Sequence, residues 1–157
     1  MIMAIEHKTF VVERMLAASP KHAFRFFSEP ALKERWTGCH PDWTVLEERF
    51  DFQIGGVEAK RWRMTNGQEQ TFLAHYLDIV PARRIIYAFD MTSAGERVSA
   101  SLATVELMAE GAGTRMVFTE QMAYLGDAAS MRQRIAGTGD GLDRLVDIIA
   151  MDVASVH

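Results

Sequence analysis

Few residues in this chain could carry chemistry, and Glu120 is the foremost. It shares strand parity with Met116, Phe118 and Met122, so it should point to the apolar side of its strand. A carboxylate placed there must find a partner or take up a proton. It could then hold a polar ligand head or act as a general acid or base. Alternatively it sits at the strand end, solvated or paired with an arginine. His75 and Tyr76 are the other two candidates for catalysis. His75 falls in step with Leu73, Leu77 and Ile79, whereas Tyr76 falls in step with Phe72 and Ala74. One of the two must face the covered side of the sheet, and parity leaves both open. A histidine there could shuttle protons.

Other combinations are less productive. Arg61, Arg63, Arg83 and Arg84 could form a patch for a phosphate or carboxylate, or could be ordinary exposed strand charges. Cys39-His40 has no second ligand pair at metal spacing, so no metal site is predicted. Gly137-Thr138-Gly139-Asp140-Gly141 is neither preceded by a strand nor followed by Gly-Lys-Ser/Thr, and so is not a phosphate loop. No Gly-x-Ser-x-Gly elbow is present, and no cofactor is expected.

The elements that must position these residues are readable from periodicity. Lys8 to Leu16 reads as a first strand. Ser19-Pro20 then opens a helix with Ala23, Phe26 and Phe27 on its apolar face, and Pro30 opens a second short helix ending near Trp36. Strands follow at 43–52, 57–64, 70–80, 83–91, 97–108 and 114–124, separated by turns such as Gly55-Gly56 and Asn66-Gly67. In the 83–91 strand Ile85, Tyr87, Phe89 and Met91 alternate to one side.

From Asp127 onward the period becomes helical. Met131, Ile135, Leu142, Leu145, Ile149, Val153 and Val156 are spaced by three, four or seven, with Thr138 filling the gap. Gly137, Gly139 and Gly141 interrupt this stretch, but the apolar register passes through them without a slip, so one long helix is predicted. The missing side chains leave volume beside whatever the helix packs on, either for close sheet packing or for a ligand.

The 157 residues suit one domain with a substantial core, and the whole chain is read as such. A net charge of −4 argues against a nucleic-acid binder. No apolar run reaches the ~20 residues needed to span a bilayer. No signal-peptide pattern opens the chain, and Cys39, the only cysteine, cannot form an internal disulfide, which suggests the cytoplasm.

Several local stretches carry a family likeness. They are Ser19-Pro20, Glu29-Pro30 with Arg35-Trp36, the run Phe50-Asp51-Phe52-Gln53-Ile54-Gly55-Gly56, Asp78-Ile79-Val80-Pro81 before Arg84-Ile85-Ile86-Tyr87, Thr104-Val105-Glu106-Leu107, Gly113-Thr114-Arg115 and Phe118-Thr119-Glu120-Gln121. In this order they resemble the START-like helix-grip (SRPBCC) superfamily, which includes polyketide cyclases and lipid-transfer domains. Within it the chain is most similar to the group related to the activator of the heat-shock protein ATPase. Gln53 stands where some members have arginine, and the tryptophan that many carry near Gly141 is absent.

The resemblance implies an α+β fold: a bent antiparallel sheet of about six to seven strands around a long C-terminal helix, with two short helices after strand one. It also implies an apolar cavity between sheet and last helix. The candidate lining is Phe26, Trp36, Trp62, Phe72, Tyr87, Phe89, Phe118, Glu120, Met131, Ile135 and Leu142. Three functions are open on this reading. The first is binding of a small apolar or amphipathic molecule. The second is a cyclase- or hydrolase-type enzyme using Glu120 with His75 or Tyr76. The third is a co-chaperone-like module acting on a heat-shock protein ATPase. Because many proteins of this fold pair, a homodimer is a further expectation.

Overall fold

A computed structural model describes residues 5–155. The elements run β1 (Glu6–Leu16), α1 (Pro20–Ser28), α2 (Pro30–Thr37), β2 (Thr44–Phe50), β3 (Val57–Arg63), β4 (Glu69–Val80), β5 (Arg84–Ser93), β6 (Glu96–Glu110), β7 (Gly113–Tyr124) and α3 (Ala128–Ser155). The seven strands form one antiparallel sheet in the order β1-β7-β6-β5-β4-β3-β2. It is a meander except for β1, which pairs with β7. The sheet does not close, so β1 and β2 are its edges. The expected helix-grip architecture is therefore the observed one. Among the described residues no helix is long and apolar enough to cross a membrane.

Local chemistry explains the helix starts. The Ser19 side chain accepts the His22 N–H at 3.3 Å, and Pro20 takes the first turn of α1. Asp127 Oδ1 accepts the Ser130 N–H at 2.7 Å and caps α3. That helix runs unbroken through Gly137, Gly139 and Gly141, as the register predicts. Its buried residues, Leu142, Leu145 and Ile149, press on the concave face of the sheet, while Val156 lies outside the described residues. The core between them includes Leu16, Phe26, Ile85, Val105, Leu107 and Met116.

Asp152 ties both short helices to α3. Its Oδ2 lies 2.8 Å from His22 Nε2, and its Oδ1 accepts from Arg35 Nη1 at 3.1 Å. The hydrogen bond with His22, aided by Arg35 and opposed by partial burial, holds this carboxyl below the usual carboxylate range. A carboxyl lowered in the fold stabilises it fully above its unfolded pKa of about 3.9, and the contribution fades as pH falls through the lower folded value. Asp152→Asn is expected to cost about 1–2 kcal/mol at pH 7. Urea unfolding should show the gap to wild type closing as the acid range is entered.

Candidate functional site

Between the concave face and α3 lies a cleft of about 850 Å³. Its walls come from β3 through β7, α2, α3 and the loop after α2. Exposed residues such as His40, Pro41, Val45 and Glu48 rim it. Aromatic rings furnish much of the wall. Trp43 and Trp62 stack with centroids 6.3 Å apart, and Tyr87 lies 5.6 Å from Phe89, itself 5.2 Å from Phe72. Trp36 is held by its indole N–H, which donates to the Phe26 carbonyl at 2.8 Å, and it meets Phe27 edge-on.

Most of the expected lining is brought together. Trp36, Trp62, Phe72, Tyr87, Phe89, Phe118, Glu120 and Leu142 all border the cleft. Phe26 does not: it is wholly buried in the core beneath α1. Met131 and Ile135 do not border it either and are half-buried. The residues of α3 that do so are Gln133, Arg134, Gly137, Thr138, Gly141, Leu142 and Arg144. Thr138 and Leu142 lie seven residues on from Met131 and Ile135, about two turns along the same face of α3. The apolar stripe thus reaches the cleft at Thr138 and Leu142, flanked there by Arg134 and Gly141.

Two buried ion pairs interrupt the aromatic wall. Glu120 has no exposed surface. Its Oε2 accepts from Ser101 Oγ and from Arg134 Nη2, each at 2.7 Å. Arg134 Nη1 donates to Thr138 Oγ1 at 2.7 Å, and the guanidinium lies 5.5 Å from the Phe89 ring centre. The expectation that Glu120 faces the apolar side is met, and its partner is an arginine on α3.

The second pair involves residues that sequence reasoning passed over. Glu58 is 3% exposed. Its Oε1 accepts from Lys33 Nζ and, at 2.7 Å, from the Tyr76 hydroxyl. Lys33 also donates to the Tyr76 oxygen at 3.0 Å and sits 4.8 Å from the Phe50 ring centre. Lys60 Nζ is 3.9 Å from Glu58 Oε2. Burial pushes the Lys33 ammonium pKa down, against the pull of Glu58, and burial then the Glu58 charge push the Tyr76 phenol up. Gly55 and Gly56 help set this corner by exchanging backbone hydrogen bonds with Tyr76. A Cβ on Gly56 would run into the Asp51 carbonyl oxygen, so only glycine fits there. Glu58 and Lys60 share strand parity with Trp62, a sequence signal that could have found them.

Of the two β4 candidates, Tyr76 faces the cleft and His75 does not. His75 is exposed and points to the convex side, opposite to Glu120. The ladder of β4 with β5 shifts register between Tyr76 and Asp78. That irregularity brings Ile79 to the core side even though it shares parity with His75. Glu120 and His75 lie on opposite faces and do not come together, and the Tyr76 hydroxyl is engaged by Glu58. Arg61 and Arg63 meet Glu69, and Arg84 meets Asp78, as strand charges do. Among the described residues no His, Cys, Asp and Glu cluster of metal-binding size occurs.

A sheet gripping one long helix, with two short helices after the first strand, defines a START-like helix-grip module. The sequence matches the family described as Activator of Hsp90 ATPase homolog 1-like protein over residues 17–150, and the chain belongs to that family. It is similar to a solved structure of an uncharacterised protein from Rhizobium leguminosarum, with 43% identity and a TM-score of 0.87, covering 94% of this chain and 97% of that one. A second, from Rhizobium loti, is 36% identical with a TM-score of 0.85, covering 93% and 99%. A third, from Chromobacterium violaceum, shares the fold at 24% identity and a TM-score of 0.73, covering 90% and 96%. No curated protein matches the sequence.

Proposed function

We propose that the protein binds a small apolar or amphipathic molecule in the cleft between sheet and α3. The observation that carries this reading is the cleft itself. About 850 Å³ lies within the range of small-molecule sites, and the exposed wall is mostly apolar, with aromatic rings prominent and charged groups set among them. Native mass spectrometry of freshly purified protein, followed by denaturing extraction, tests it. The expected result is a reproducible extra mass released on denaturation, together with uptake of the neutral fluorophore N-phenyl-1-naphthylamine by the emptied protein. A bare protein that also leaves the fluorophore in solution would defeat the reading.

The glycines of α3 provide a sharper check. Gly137 borders the cleft, and a Cβ there would meet nothing within 4 Å. Gly137→Phe is expected to fill the space and weaken fluorophore uptake at least about tenfold, a loss of ~1.4 kcal/mol. Gly139→Ala, also in open space but away from the cleft lining, should leave uptake intact and stabilise the helix by about 1 kcal/mol.

Membership of the Hsp90-activator-like family supports a second reading, a co-chaperone-like module acting through its outer surface. A pull-down with the cognate Hsp90 and measurement of its ATPase rate separate the two. Stimulation of that rate, unchanged in Gly137→Phe, would favour the surface function over the cleft.

A further inference from the structure

The Glu120–Arg134 pair is incomplete in a particular way. A guanidinium and a carboxylate can meet through two parallel hydrogen bonds. Here one bond is made, from Nη2 to Oε2. The remaining carboxylate oxygen, Oε1, and the guanidinium Nε are both buried and have no hydrogen-bond partner among the described residues. A buried donor and a buried acceptor without partners are costly and uncommon. Glu120 and Arg134 both border the cleft. The pair therefore offers a molecule in the cleft one acceptor and one donor.

A third polar group stands beside it. Across the sheet, Glu120 pairs with Ala103, and Ala103 with Tyr87. Glu120 and Tyr87 thus lie two strands apart on the concave face, with only the small side chain of Ala103 between them in the register. Burial, and then the charge of Glu120, keep the Tyr87 phenol protonated, so it is a donor.

We propose that Glu120, Arg134 and Tyr87 form the seat for the ligand's head, and that this head is uncharged and both donates and accepts hydrogen bonds. A carboxamide fits best and a hydroxyl second. An amide N–H would donate to Glu120 Oε1, while its carbonyl oxygen would accept from Arg134 Nε–H and the Tyr87 hydroxyl. The last torsion of a glutamate is soft, but Oε2 is held by Ser101 and Arg134, so the carboxylate trades part of those bonds for the one that Oε1 makes with the head. The apolar tail would run along Phe89 and Phe118, which border the same cleft. Charge selects against the alternatives. Glu120 and Arg134 already neutralise each other, so a carboxylate or ammonium head at this seat would meet no uncancelled charge; the surplus cation of the cleft, Lys60 beside Lys33 and Glu58, lies at the separate β3 corner. A plain hydrocarbon would leave both open valences unmet.

The inference rests on the cleft being a binding site, and the test separates the two. Decanamide, 1-decanol, decanoate, decylammonium and decane are titrated against N-phenyl-1-naphthylamine bound to the wild-type protein. Decanamide is expected to displace the fluorophore at least about tenfold more tightly than either ion or decane, with 1-decanol between. Tyr87→Phe should weaken decanamide about three- to tenfold, the share of one hydrogen bond, and leave decane unchanged. An ion or decane binding as tightly as decanamide would overturn the proposal while leaving the cleft a binding site. The same holds if the fluorophore binds and no member of the series displaces it. If the purified protein is bare and the fluorophore does not bind, the binding reading fails and the proposal fails with it; a co-purified mass with a charged or purely hydrocarbon head overturns the proposal alone.

Discussion

Arg134→Met lowers the unfolding free energy by about 3–5 kcal/mol, on the expectation for breaking a buried ion pair from one side. Glu120 has no solvent contact, and without Arg134 its only remaining donor among the described residues is the Ser101 hydroxyl. The substitution also removes the bond to Thr138 and the cation over Phe89. Because the loss comes mainly from a stranded charge, removing that charge as well should restore most of it. The Glu120→Met/Arg134→Met double variant is therefore expected to be more stable than Arg134→Met alone, as apolar pairs of similar volume often replace buried ion pairs at little cost. Urea denaturation of both single variants and the double variant completes the cycle. Simple additivity of the two losses would show that the residues do not act as a pair.

Glu58→Gln should have a comparable effect with a different pH signature. The amide keeps the shape and can still accept from Lys33 and Tyr76, but the buried ammonium loses its counter-charge. A loss of about 3 kcal/mol at pH 7 is expected. Glu58 is what holds the Lys33 pKa up against burial, so in the variant it drops further. A lysine whose folded pKa lies below its unfolded value of about 10.4 destabilises the fold wherever it must be protonated. That penalty is full below the folded pKa and fades as pH rises to the unfolded value. The gap between Glu58→Gln and wild type should therefore narrow steadily between neutral pH and about pH 10. Thermal unfolding across that range is the measurement, and a gap independent of pH would locate the loss in packing, not charge.

The two pairs also show where the sequence was legible and where it was not. Strict alternation in β5 and β7 placed Tyr87, Phe89, Phe118 and Glu120 on one face, because an antiparallel strand covered on one side leaves that period unmistakable. The register of α3 survived three glycines because its apolar residues still fell on one side. What could not be read was pairing across elements. Arg134 belongs neither to the apolar stripe nor to a pattern of exposed charges, and only the helix-on-sheet geometry brings it to Glu120. In β3 the concave-facing residues are Glu58, Lys60 and Trp62, so a search for alternating apolar residues finds no covered side. In β4 the register shift mixes the two faces, and parity gave His75 and Tyr76 equal claims.

The pairing of β1 with β7 sets a timetable for the molecule. Glu6 to Leu16 have only β7 as a sheet neighbour, and the Thr114 hydroxyl that locks onto the Ala18 carbonyl is 96 residues further along the chain. A ribosome therefore delivers the first strand long before its partner exists, with Val11 and Val12 in a strand whose ladder groups are unmet. Closing so long a loop is entropically expensive and belongs late in folding. The hairpins from β2 to β7 can assemble locally before that, which leaves β1 as the last strand docked.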